Sequence, residues 1–398
     1  MGLDFNLSWE HEQIREAMKG CMEPFQGRRE ELTKMVIKDR IFPQELWDSI
    51  TGTGLLGCMV PEEYGGNGLG LLGVAIGLEE LACHGFGNAL LVLTAMDMAC
   101  IHRNGTEEMK QRYLPKMASG ELKFGFAITE PDAGTNAFRV KTLARKDGDD
   151  YLISGQKVFI TGADVADRIL LVCRTTSRED CEKQGLPKAF GLALFIIDPK
   201  APGVDLKPIP TQGIEGMTQF MVYMDDVRVP ATEMIGEQDM GGMALFNSLN
   251  PERILAAAAA CGMADNCIKK AVAYANQRNV FGNKTIGAYQ GISHPLAKVA
   301  IQLEASRLLT YKAAWAFDEG ENPGIVGQYA NMAKYTAAEM AIEAVDRAIQ
   351  THGGYGFSEE YGIIHYHTSA RLLRTAPITA EMILNFVAEH HLGLPKSY

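Results

Sequence analysis

No apolar run in the 398 residues reaches the roughly 18 that a membrane helix requires, which excludes a bilayer-spanning helix. Positive charge is in short supply. Lys and Arg number 38 against 49 Asp and Glu, a formal charge of −11, and this argues against nucleic-acid binding as the main task. No CxxC pair occurs. The eight cysteines (21, 58, 83, 100, 173, 181, 261 and 267) are scattered and read as reduced core residues rather than a disulfide framework or metal site. Neither a signal peptide nor an Arg-rich transit segment is visible in MGLDFNLSWEHEQIREAMKG, which reads directly as an acidic amphipathic helix. A cytoplasmic protein is expected, bacterial or already processed. Internal repeats and low-complexity segments are also missing.

What is present is an ordinary globular composition, 46% hydrophobic and 22% charged, on a chain long enough for two or three domains. The texture changes twice. Residues 1–122 carry helical patterns, including 10–25, 43–53 and 71–83, with a glycine-rich loop PEEYGGNGLG at 61–70. Residues 123–240 turn to short β-branched and aromatic runs bounded by turns: FGFAIT, TLARK, YLISGQKVFIT, RILLVCRT, GLALFIID and FMVYMDDVRVP. With no helix pattern between them, these predict an antiparallel β domain. Residues 241–398 return to long helices with short connections, the pattern of a four-helix bundle. The expected class is α+β: an N-terminal helical domain, a central antiparallel β domain and a C-terminal bundle.

Four segments carry chemistry. AITEPDAGTN (127–136) is an extended chain entering a Pro/Gly turn, with hydroxyls at Thr129 and Thr135 and backbone N–H groups able to cradle an anion. GQKVFITGA (155–163) places Phe159 and Thr161 on a strand. QRNVFGNKTIGAYQ (277–290) holds Arg278, a permanent cation suited to bidentate contact with a pyrophosphate. QTHGGYGFSEEY (350–361) ends a helix in two glycines, where backbone can approach a ligand closely or simply cap the helix.

Taken as strings, and in this order along the chain, the four resemble the acyl-CoA dehydrogenase family. The first is similar to its (A/V)xTEPxAGS(D) signature, with Asp132 where Gly is usual, Thr135 for Ser and Asn136 for Asp. The second is similar to GxKxxIT, with Phe159 where Trp is frequent. The third is similar to RxxFGxxIxxxQ, one residue longer between Arg278 and Gln290. The fourth is similar to QxxGGxGFxxEY. The resemblance implies FAD as cofactor, an acyl-CoA thioester as substrate and an electron-transfer flavoprotein as acceptor. It implies a homotetramer, or a dimer within one, working in acyl-CoA catabolism. It also implies FAD contacts from Phe126, Ile128, Thr129, Thr135, Phe159, Thr161, Arg278, Phe281, Gln290, Gln350, Gly353, Gly354, Thr379 and Glu381.

The implied reaction needs a carboxylate beside the α carbon of the thioester, while flavin N5 accepts the β hydride. The family's usual Glu lies in a YEGTSEIQ-like segment near the C-terminus. Extending from TSAR (368–371), which occupies the place of the family's RDAR, RTAPITAEMI puts Pro377 at that position, and proline cannot take a proton. Glu381, four residues on, reads as a first-turn acid behind a Thr379 N-cap. Glu252 is the stronger choice. SLNPERILAAAAACG predicts a helix start with Asn250 as N-cap and Pro251 at the first position, and so places Glu252 in the first turn. Read alone, such an acid is usually a solvated end residue. The isovaleryl-CoA and long-chain branches of the family, however, carry their base at this position in a similar ER(L/I) string. Arg253 is expected to orient Glu252 or the substrate. Two rivals remain: another reaction or substrate carrier on the same scaffold, and a non-catalytic partner subunit of a hetero-oligomer. His365 and His367, spaced i and i+2, would suit strand-type metal ligation, but lack a third ligand, and no metal site is expected.

Overall fold

Ser8 starts the first helix: its hydroxyl accepts from the His11 amide, and Glu10 and Glu12 occupy the first turn, where acids favour the positive end of the helix. The structure, a computed structural model, describes residues 6–212 and 217–397. Helix α1 (Trp9–Gln26) buries Ile14, Met18, Met22 and Phe25, one apolar stripe at helical spacing. It is followed by α2 (Arg29–Thr33), α3 (Gln44–Thr51), α4 (Gly70–Cys83), α5 (Ala89–Asn104) and α6 (Glu107–Ala118).

The β region contains β1 (Phe124–Ala127), β2 (Leu143–Asp147), β3 (Asp150–Thr161), β4 (Arg168–Arg174), a short helix α7 (Arg178–Lys183), β5 (Leu192–Ile197), β6 (Val204–Ile209), β7 (Gln219–Pro230) and β8 (Met234–Ile235). The strands order β6-β7-β3-β2-β4-β5-β8, with β1 paired to β4. Most pairs are antiparallel, as expected from the sequence, but β1 runs parallel to β4, and Leu143 of β2 pairs parallel to Arg174. A parallel pair needs a crossover, and here the β2–β3 hairpin supplies it in place of a helix. Alternating side chains of β3, β4, β5 and β7 fill one core, including Ile153, Leu171, Phe195 and Val222.

The C-terminal part holds α8 (Gly241–Gln277), the two-residue strands β9 (Asn279–Val280) and β10 (Lys284–Thr285), α9 (Gln290–Asp318), α10 (Pro323–His352), α11 (His365–Leu372) and α12 (Ala380–Phe386). One expectation is corrected here. Helix α8 begins at Gly241, so Asn250 is not an N-cap and Pro251 lies inside the helix. Proline removes one N–H from the ladder, yet buried neighbours such as Leu245, Ile254 and Leu255 hold the helix through it. His365 and His367 open α11, and at i and i+2 on a helix the two side chains do not share a face. Among the described residues no cluster of three His, Cys, Asp or Glu side chains gathers as a metal site.

The chain divides into two compact units. One comprises Met1–Leu32, Leu69–Gly87 and Arg253–Tyr398; the other comprises Thr33–Gly68 and Asn88–Glu252. In the first, Cys267 and Ala271 of α8 pack with Leu296 of α9, Val345 and Ala348 of α10 and Ala370 of α11. Gly262 lets α8 touch α4 directly, because a Cβ there would lie 2.1 Å from the Glu79 carbonyl oxygen. In the second unit, the sheet is flanked by α5, whose Thr94 hydroxyl accepts from the Phe124 amide at the start of β1. None of the eight cysteines, all among the described residues, is joined in a disulfide. No described helix is long and apolar enough to cross a membrane.

Candidate active site

Two of the four motifs meet in the second unit. The Val158 amide donates to the Thr129 carbonyl at 2.9 Å, tying the TEP turn to β3. A buried ion pair fastens the same joint. Lys157 Nζ lies 2.8 Å from Glu130 Oε1 and also donates to the Ile128 carbonyl. The two side chains are 0% and 6% exposed. Glu130 also accepts from the Thr142 hydroxyl and from the amides of Lys141 and Thr142. Burial opposes the Glu130 charge, but Lys157 and these donors prevail and hold the carboxyl below its usual range. Neither residue was singled out from the sequence, although the Glu of TEP and the Lys of GQK stand inside the motifs.

The joint presents an aromatic face. Register slips between β3 and β7 across Lys157 to Ile160, and in this bulge Phe159 takes a φ of 58°. A left-handed aromatic residue is strained by roughly 1–2 kcal/mol. The side chain is 56% exposed, so this is not a packing residue forced into place by the core. Beside it, the Thr161 hydroxyl donates to Gln219 Oε1 at 3.0 Å, while Gln219 Nε2 is buried and has no hydrogen-bond partner among the described residues. A projecting aromatic and an unspent buried donor suit the edge of a flavin, whose ring presents N and O acceptors. Phe126 is buried, Ile128 and Thr129 are half-buried, and Thr135 is exposed in the adjoining turn. Phe159→Gly should leave the stability of the apoprotein within about 1 kcal/mol, because relieved strain offsets glycine's entropy, while flavin retention falls. Thermal denaturation with and without FAD checks this. A large loss of apoprotein stability with flavin binding intact would make Phe159 a packing residue instead.

The other two motifs meet in the first unit. Arg278 leaves α8 and opens the β9–β10 hairpin, its carbonyl accepting from the Ile286 amide at 2.8 Å. Phe281, at the hairpin tip, has a φ of 48° and is 95% exposed. Gln290 begins α9. Gln350 lies in the last turn of α10, which Gly353 ends at φ 59°, a conformation that favours glycine, and Gly354 follows. Tyr274 stacks on His352 with centroids 4.4 Å apart and meets Tyr355 and Tyr361. Sequence reading missed this aromatic cluster, which joins the hairpin base to the Gly353 turn. Thr379 caps α12, accepting from the Met382 amide, and Glu381 is exposed in its first turn.

Glu252 lies about three turns inside α8 and is half-buried. The helix-end field, which fades within the first turn, therefore does not act on it as a first-turn residue would feel it. Arg253 follows it and is also half-buried. In the unit that holds Glu252, Asp97 of α5 is fully buried, and neither carboxyl oxygen has a hydrogen-bond partner among the described residues. Burial, and after it the charge of Glu252, pushes the Asp97 carboxyl well above the usual range. Asp97 was also missed. Its signal was a single acid within the otherwise apolar run ALLVLTAMDMAC.

A mostly antiparallel sheet that follows one set of helices along the chain and precedes another, with a strained aromatic on β3, fits a flavin-dependent oxidoreductase. The family models specify it further: the acyl-CoA dehydrogenase N-terminal domain matches residues 8–121, the middle domain 125–227 and the C-terminal domain 240–392. The chain belongs to the acyl-CoA dehydrogenase family, whose enzymes use FAD to dehydrogenate acyl-CoA thioesters. It is 45% identical over 355 residues, 89% of each chain, to the acyl-CoA dehydrogenase FadE12 of Mycobacterium tuberculosis. Butyryl-CoA dehydrogenase from Megasphaera elsdenii superposes with a TM-score of 0.89 at 30% identity, covering 98% of this chain and 100% of that one. A chain in the solved structure of the electron transferring flavoprotein of Acidaminococcus fermentans matches equally well, at 0.89 and 30%, with 98% and 100% covered.

Proposed function

We propose that Glu252 is the base of this acyl-CoA dehydrogenase. The observation that carries the reading is its carboxyl, half-buried on α8 and close enough to the interior to act on fully buried Asp97. Pro377, at the family's usual position, has no proton-accepting side chain. Glu252 would take the α proton of the thioester, and Arg253 would orient the carboxylate or the substrate. FAD, when bound, accepts the β hydride. Phe126, Ile128, Thr129, Thr135, Phe159 and Thr161 would hold its ring side. Arg278, Phe281 and Gln290 would reach the FAD of a neighbouring subunit, the turn of Gln350, Gly353 and Gly354 would touch FAD adenosine, and Thr379 and Glu381 would face the cofactor. Exclusion of water by the acyl chain would strengthen the base.

Anaerobic bleaching of the purified flavoprotein by a panel of acyl-CoAs tests the reading and finds the chain length and branching preferred. A flavin-free protein, or no bleaching by any thioester, would favour the non-catalytic partner subunit; bleaching only by carrier-protein thioesters would favour the different-substrate rival.

The same reading extends to partners. An electron-transfer flavoprotein is the proposed acceptor, supported by the likeness to the chain from the Acidaminococcus structure. A homotetramer is proposed because Ile301, Leu308 and Trp315, seven residues apart along α9, form an exposed apolar stripe. Leu308→Glu should shift the sedimentation of the holoenzyme toward smaller species, and unchanged sedimentation would remove α9 from the interface. The working division into domains is 1–122, 123–240 and 241–398. A cytoplasmic location is proposed, and eight cysteines without a disulfide are consistent with it.

A further inference from the structure

Ala244, Ser248 and Glu252 recur every fourth residue and so share one face of α8. Cys100 of α5 meets that face: its thiol donates to the Ala244 carbonyl at 3.6 Å and faces the Ser248 hydroxyl. Asp97 lies one turn before Cys100 on the same side of α5. The two helices therefore bring a second carboxyl to the face that carries Glu252. Asp97 is 0% exposed, and both its oxygens lack a partner among the described residues. Ser248 Oγ is likewise buried without a conventional hydrogen bond.

A carboxylate in that setting would be expensive. An unpaired buried anion costs more than the core can offset, and such a group takes up a proton instead. Among the described residues, Glu252 is the charged group acting on Asp97, and none on β1, α6 or the turn Leu56–Met59, which pack against α5, does so. The Cys100 thiol is pushed up to about 12, chiefly by burial, and stays neutral.

We propose that Asp97 and Glu252 act as one carboxyl pair carrying a single negative charge at the base position, with the proton resting on Asp97. The proposal rests on Glu252 being the base. Asp97 is then a positioning residue: its neutral carboxyl adds no second charge beside Glu252. When the α proton moves from substrate carbon to a Glu252 oxygen, the pair holds two protons and no charge. Loss of one proton to solvent restores the resting state. By reciprocity, an ionised Asp97 would raise the proton affinity of Glu252, so the two titrate as a unit.

The test is isotope-edited infrared spectroscopy of the holoenzyme with ¹³C-labelled aspartate, run beside the pH profile of flavin reduction. The wild-type protein should show the carbonyl band of a protonated aspartic acid at neutral pH, and Asp97→Asn should lack it. In Glu252→Gln the band should titrate away at a lower pH, since the second of its two causes is gone while burial remains. The wild-type rate profile should bend at the pH where the band disappears, and Asp97→Asn should show no such bend. Absence of the band at neutral pH, or an unmoved midpoint in Glu252→Gln, would overturn the pair. A uniform loss of rate at every pH in Asp97→Asn, with the wild-type bend retained, would reduce Asp97 to a structural residue. The infrared arm does not need Glu252 to be the base, so failure of that reading and failure of the pair are told apart.

Discussion

Glu252→Gln should slow flavin reduction by a good acyl-CoA substrate about 10²- to 10⁴-fold, the span that a positioned general base contributes. The substitution keeps size and shape and removes only proton affinity. It should leave FAD content unchanged, because the residues proposed to hold the ring, from Phe126 to Thr161, lie on β1, the TEP turn and β3. Substrate affinity should change far less than the rate, since the interaction removed is made as the proton moves. Stopped-flow reduction under anaerobic conditions reads this directly. Glu381→Gln is the matched control. Its carboxylate is exposed in the first turn of α12, so the expected effect on the reduction rate is small.

The largest effect on stability should come from Lys157→Met. This variant leaves Glu130 buried beside an apolar chain, and breaking a buried pair from one side typically costs about 3–5 kcal/mol. The turn that Lys157 holds through Glu130 and the Ile128 carbonyl carries Ile128, Thr129 and Thr135, so flavin should be lost along with stability. Adding Glu130→Leu should restore much of the stability, because an apolar pair of similar volume removes the stranded charge. Lys141→Ala, which breaks the exposed pair with Asp132, should cost no more than about 1 kcal/mol. Denaturant midpoints compare the three. The pair also predicts acid sensitivity. Glu130 titrates below its unfolded value, so its contribution is fully present above about pH 4.3 and is lost as pH falls through the lower, folded value.

The layout of helices, strands and helices was legible because periodicity reports burial. The runs that form β1 to β5 and β7 alternate or stay apolar, and α9 and α10 repeat at helical spacing. Strand β6 was not seen, because VDLKPI carries two charges and a proline and lies exposed at the sheet edge. The start of α8 was misplaced because Asn-Pro-Glu is a helix-start signal in isolation. Buried packing of the preceding turns outweighs that local preference. Site residues were readable where they project from motifs, as Phe159 and Phe281 do. Glu130, Lys157 and Asp97 were not, because each acts through a partner far away in sequence, and spacing along the chain does not report such pairs.

The most direct measurement of the central claim is exchange of the α hydrogen of a bound acyl-CoA thioester with deuterium from solvent, followed by mass spectrometry or NMR. The wild-type holoenzyme and Glu381→Gln should both exchange it, and Glu252→Gln should not. Exchange that persists in Glu252→Gln and is lost in Glu381→Gln would contradict the assignment and move the base to α12.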